Sequence, residues 1–122
     1  METAETLQES SIVSKENAPH YTRADQCDGW HLLGSPDLSV IEELVPPGCA
    51  ETRHIHHQSR QFFYVLDGNA TMEVNGVIHE LGKDQGICIP PGAAHQLFNH
   101  TENNLRFLVI SSPPSHGDRT PA

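Results

Sequence analysis

Nine histidines stand in a chain of 122 residues, and two of them are spaced for chemistry. His54 and His56 flank Ile55. In an extended strand alternate side chains share a face, so these two imidazoles project together while Ile55 and His57 point away. Imidazole is largely neutral at pH 7 and offers a nitrogen lone pair, so the chemistry open to such a pair is coordination of a divalent transition-metal ion. His20, His31, His79, His100 and His116 have no comparable spacing and read as surface residues.

The elements that must position these side chains are short. Runs rich in Val, Ile, Leu, Phe and Tyr alternate with turn residues: WHLL, LSVIEELV, ETRHIHH, RQFFYVL, ATMEV, VIHEL, GICI, HQLF and LRFLVIS, nine strands by this reading. Asn75-Gly76, between ATMEV and VIHEL, is a two-residue hairpin signal because both turn positions need positive φ, and Asp67-Gly68 marks another tight turn. No segment sustains a 3.6-residue apolar period with caps, which disfavours a bundle or a βαβ fold. The chain therefore reads as all-β, with sandwich, jelly roll and small barrel left open by composition alone.

Gly48, His54, His56, Gln61 and Gly68 stand with the spacing of the first cupin motif, and Pro90, Gly92, His95 and Asn99 with that of the second, P-x-G-x-x-H-x-x-x-N. The chain thus resembles a small single-domain cupin over most of residues 29–112. It departs from that pattern twice. Gln61 stands where the family usually has the Glu that completes a three-His, one-carboxylate site, and Asp84 stands where the second motif usually opens with Gly. The resemblance implies a double-stranded β-helix (jelly-roll) barrel over residues 11–112, after a flexible segment at 1–10 and before a polar tail at 113–122 that is expected to form no strand. Ser11 to Val13 is a candidate short strand. It also implies one metal ion per chain, Fe, Zn, Ni or Mn, on His54, His56 and His95, with Gln61 either a neutral fourth ligand or a hydrogen-bonding group in the pocket. Strand parity puts Phe63 and Val65 on the face of Gln61, and Leu97 and Asn99 on the face of His95, as pocket residues. Phe62, Tyr64, Leu66, Leu105, Phe107 and Val109 read as core, Arg53 and Arg60 as surface charges.

Seven Lys and Arg against sixteen Asp and Glu give a net charge of -9, which would repel nucleic acid. No apolar run reaches membrane-spanning length, and Cys27, Cys49 and Cys88 are odd in number without CxxC spacing. A cytoplasmic protein with reduced thiols is the expectation. The resemblance implies a metal-dependent enzyme acting on a small, anionic or chelating organic molecule, dioxygenase-type oxidation ahead of isomerisation or cyclisation. A non-catalytic binding or sensing cupin is the alternative, because no Glu stands at the motif position and no tyrosine has evident parity into the pocket. By the same resemblance a homodimer is expected, packed through the outer face of one sheet and exchanging an N-terminal strand within Ser11 to Tyr21.

Overall fold

The computed structural model describes residues 10–23 and 26–122, so all but the last residue of the expected flexible segment at 1–10 lies outside the described residues. Eleven strands form among the described residues, and no helix: β1 (His20–Thr22), β2 (Asp28–Gly34), β3 (Ser39–Val45), β4 (His54–His56), β5 (Arg60–Asp67), β6 (Ala70–Val74), β7 (Val77–Leu81), β8 (Gly86–Ile89), β9 (His95–Phe98), β10 (Leu105–Ser112) and β11 (Arg119–Pro121). Two antiparallel sheets, ordered β1-β2-β3-β10-β5-β8 and β11-β4-β9-β6-β7, make the all-β jelly-roll barrel. The nine expected strands are all present. The other two correct the reading of both ends. Arg119–Pro121, in the tail expected to form no strand, pairs with β4, and His20–Thr22 pairs with β2 of the same chain. Ser11 to Val13 forms no ladder; the chain turns instead at Ser14, whose N–H donates to Asn17 Oδ1 at 2.8 Å.

The interior comes from period-two alternation. On β10, Leu105, Phe107, Val109 and Ser111 are buried, and beside them on β5 lie Gln61, Phe63 and Val65. Phe62, Tyr64 and Leu66 occupy the outer face of β5, Phe62 with 39% of its surface exposed, so they are not core residues as expected. Both faces of RQFFYVL are apolar, and hydrophobicity alone could not tell the inner from the outer. Cross-strand rows run along the barrel, from Ser39, Ser111 and Gln61 at one level, through Ile41, Val109 and Phe63 and then Glu43, Phe107 and Val65, to Val45 and Leu105. The core packs towards the Val45 end and the cavity opens towards the Gln61 end, with Glu43 in its lining.

Two turns hold the strands in place. Asn75 (φ 49°) and Gly76 (φ 88°) make the hairpin expected between β6 and β7. Asp84, standing where the second motif usually has Gly, adopts φ 66°, and its N–H donates to Val65 O at 2.9 Å. Asp tolerates the left-handed region better than most residues, so the turn before β8 survives the substitution.

Phe107→Ala should cost roughly 3–5 kcal/mol of stability, because the ring is fully buried against Phe63, while Phe62→Ala should cost about 1 kcal/mol or less. Urea midpoints for the two variants test this. Equal losses would contradict the assignment of faces on β5.

Candidate metal centre

β4 is three residues long, and its burial alternates buried, intermediate, buried. His54 and His56 therefore both enter the barrel, and His54 sits directly across from His95 of β9. The ligand nitrogens of His54, His56 and His95 all lie within 4.8 Å of one another. Ring centroids are 4.7 Å apart for His54 and His56, and 4.4 Å for His54 and His95. His57 points out to solvent, as the parity of the strand requires.

Main-chain carbonyls set the ring orientations. His54 Nδ1 donates to Thr52 O at 2.6 Å and His95 Nδ1 to Ala93 O at 3.0 Å, in each case the carbonyl two residues earlier. With Nδ1 carrying the proton, Nε2 of each ring keeps its lone pair. His95 Nε2 is buried with no hydrogen-bond partner, and so are His56 Nδ1 and Gln61 Oε1. Such orphaned acceptors are costly in a protein interior. The three converging histidines fit a divalent transition metal, which would satisfy the two orphaned ring nitrogens together.

Burial keeps the rings neutral, as ligation needs. Desolvation pushes His54 from 6.5 down to about 3, against the opposing hydrogen bond that its Nδ1 donates to Thr52 O. His56 and His95 are also lowered, again chiefly by burial.

Gln61 is buried on β5 opposite Ser111, and its Nε2 donates to Ser111 Oγ at 3.1 Å, leaving Oε1 as the amide's unused acceptor. A cavity of about 440 Å³ opens beside it, lined among others by His56, Gln61, Phe63, Tyr21, Glu43 and Arg119. Of the expected pocket residues, only Phe63 faces this cavity. Val65 and Leu97 pack in the core, and Asn99 anchors main chain by donating to Val45 O at 2.9 Å and Asn103 O at 2.8 Å. Parity gave their face correctly, but depth along the barrel decides between core and cavity. Arg53 lies outside the cavity lining in a bidentate pair with Glu73, at 2.7 and 3.1 Å, and Arg60 is exposed.

Sequence reasoning missed the polar wall. Tyr21 of β1 lies across Gly29 of β2, where a Cβ would fall 2.0 Å from the ring, and its hydroxyl donates to the buried Glu43 carboxylate. Arg23 Nη1 stands 3.3 Å from Glu43 and 3.9 Å from Glu51. One signal was available. Glu42 and Glu43 are adjacent on an apolar strand, so one of them has to face inward.

Residues 41–111 match the family model for the cupin domain. The chain belongs to the cupin family. Among curated proteins this cupin is similar to an uncharacterized protein of Methanocaldococcus jannaschii, 35% identical over 81 residues, covering 66% of this chain and 65% of that one. It is also similar to the probable oxidoreductase yanE of Aspergillus niger, 32% identical over 98 residues, covering 77% of this chain and 38% of that one. The cupin thus spans less than two thirds of either relative. The solved structure of a predicted oxalate decarboxylase from Thermotoga maritima shares its fold, with a TM-score of 0.79 at 17% identity, covering 85% of this chain and all of that one.

His56→Ala should abolish stoichiometric metal uptake and leave the barrel folded, because the core cluster contains none of the three histidines. Elemental analysis and circular dichroism test both halves; one metal per chain in the variant would remove His56 from the site. A pH dependence follows from the buried rings. An unfolded imidazole takes its proton near 6.5 and folded His54 only near 3, so below about pH 6.5 the unfolded chain binds more protons. Metal-free protein should therefore be most stable above that pH and lose stability steadily towards pH 3. A urea midpoint that stays constant as the pH falls through this window would contradict it.

Proposed function

We propose that this cupin is a metal-dependent enzyme acting on a small, anionic or chelating organic molecule, with oxidation by dioxygen ahead of isomerisation or cyclisation. The observation that carries the reading is the convergence of buried, neutral imidazole nitrogens, His56 Nδ1 and His95 Nε2 without protein partners, beside a cavity large enough for a small molecule. A divalent ion held there by His54, His56 and His95 would supply a Lewis acid for a chelating substrate and, as Fe(II), a redox centre for dioxygen.

The chain's own residues supply the rest. Thr52 O and Ala93 O fix two of the rings, so ligation needs little reorganisation. Gln61 adds an acceptor without charge. Phe63, edge-on to His95 with centroids 6.1 Å apart, gives one side of the cavity an apolar wall. In the same sheet Tyr21 donates to Glu43, and burial followed by the Glu43 charge pushes the phenol far above its usual range. Tyr21 thus keeps its proton and gives it to the Glu43 hydrogen bond, so the pair lines the cavity as a fixed polar contact. The oxidoreductase name belongs to the Aspergillus niger relative, and it favours the oxidising branch over isomerisation.

Metal analysis of untagged protein, followed by oxygen uptake with diketones, thiols and phenols in the presence of Fe(II), tests the proposal; no uptake with any of them favours the binding cupin. Gln61→Glu should raise affinity for Mn(II) about tenfold and lower any activity, because a carboxylate ligand reduces the site's charge from +2 to +1. Titration of the metal-free proteins measures it, and an unchanged dissociation constant removes Gln61 from the ligand set.

A further inference from the structure

β11 brings one more charge into the cavity. Arg119 stands directly opposite His56 in the β11–β4 pair, and cross-strand partners point to the same face. The side chain lines the cavity with His56 and Gln61. Its positive field reaches all three histidines, lowering the proton affinity of each.

Arg60, which reaches Cys88, and Arg119 are the two arginines with no carboxylate partner among the described residues, and of these only Arg119 lines the cavity. The sequence holds five arginines and sixteen acidic residues. Arg23 is engaged by Glu43 and Glu51, Arg53 by Glu73 and Arg106 by Glu42. Arg119 makes one long hydrogen bond, Nη2 to Thr52 O at 3.4 Å, and among the described residues no carboxylate reaches it. Its main chain, in contrast, is fixed. The Asp118 carboxylate accepts from the N–H groups of His57, Gln58 and Ser59 at 3.1, 2.9 and 2.8 Å, and Ala122 N donates to Arg53 O at 3.1 Å. A held backbone carrying a guanidinium with spare donors, one strand away from a metal-type cluster, is the arrangement that receives an anion. Guanidinium presents a planar fork that matches the two oxygens of a carboxylate.

We infer that Arg119 is a specificity-determining residue of this cavity, and that the ligand is a carboxylate whose free oxygens pair with the Arg119 fork while its other donors face the histidine cluster. The inference rests on the metal-site reading above for those other donors. It narrows the substrate class from chelators in general to chelating carboxylates, and excludes neutral or apolar-flanked chelators as preferred ligands.

Oxalate and acetylacetone are suitable probes, since both chelate through two oxygens, but oxalate leaves two further oxygens for the guanidinium and acetylacetone presents methyl groups. Each is titrated into full-length Co(II)-loaded wild type, R119Q and R119K, followed by the visible Co(II) spectrum. Oxalate affinity should fall about tenfold or more in R119Q and by less in R119K, which keeps the charge but loses the fork. Acetylacetone affinity should be the same in all three. Equal oxalate affinity in wild type and R119Q, or equal losses for both probes, overturns the inference. Should wild type take up no Co(II), the metal-site reading fails separately. Calorimetry of the metal-free proteins with oxalate then decides for Arg119: binding lost in R119Q supports it, and no binding to wild type overturns it.

Discussion

Two hydrogen bonds, from His54 Nδ1 to Thr52 O and from His95 Nδ1 to Ala93 O, decide which nitrogen each ring turns towards the middle of the site. Each is made to a carbonyl of the ring's own strand approach, so tautomer and orientation are set by local backbone before any ligand arrives. The consequence is energetic as well as geometric. A buried nitrogen with a lone pair and no donor, such as His95 Nε2, costs on the order of 1–3 kcal/mol. The barrel tolerates this because Phe107, Met72, Leu97 and their neighbours form a separate apolar core along the same interior. A tightly packed end supports a strained, polar end.

That division of the interior explains what was legible in the sequence. Period-two alternation and the two motif spacings identify the faces of His54, His56 and His95, because those depend only on neighbours along one strand. The Asn75-Gly76 hairpin is equally local. Depth along the barrel is not local: Gln61, Phe63 and Val65 share a face, yet the first two meet the cavity and the third meets Phe107 across the sheet. Nor is the choice between two apolar faces, which placed Phe62, Tyr64 and Leu66 wrongly. Strand β11, with the sequence Arg-Thr-Pro, has no strand propensity to read, and exists only because β4 offers it a partner.

The cavity wall shows how a strongly acidic chain compensates the carboxylates that face its interior. Its inward carboxylates, Glu43 and Glu51, are met by Arg23 and, for Glu43, by the Tyr21 hydroxyl. Gly29 makes this possible, since any side chain there would evict the tyrosine ring. Acidic groups near the site are thus compensated locally, so the overall charge of -9 says little about the potential a ligand meets.

The pairing of β11 with β4 has a further consequence, for self-association. A strand as short as His54–His56 at the rim of a sheet would present unpaired N–H and C=O groups to any other extended chain. β11 covers that rim and is itself a poor template: it is three residues long, its Arg119 is charged, and its Pro121 has no N–H to donate. The sheet therefore ends beside its most chemically exposed strand in a sequence that discourages edge-to-edge growth, and the segment that completes the cavity also protects the barrel from aggregation.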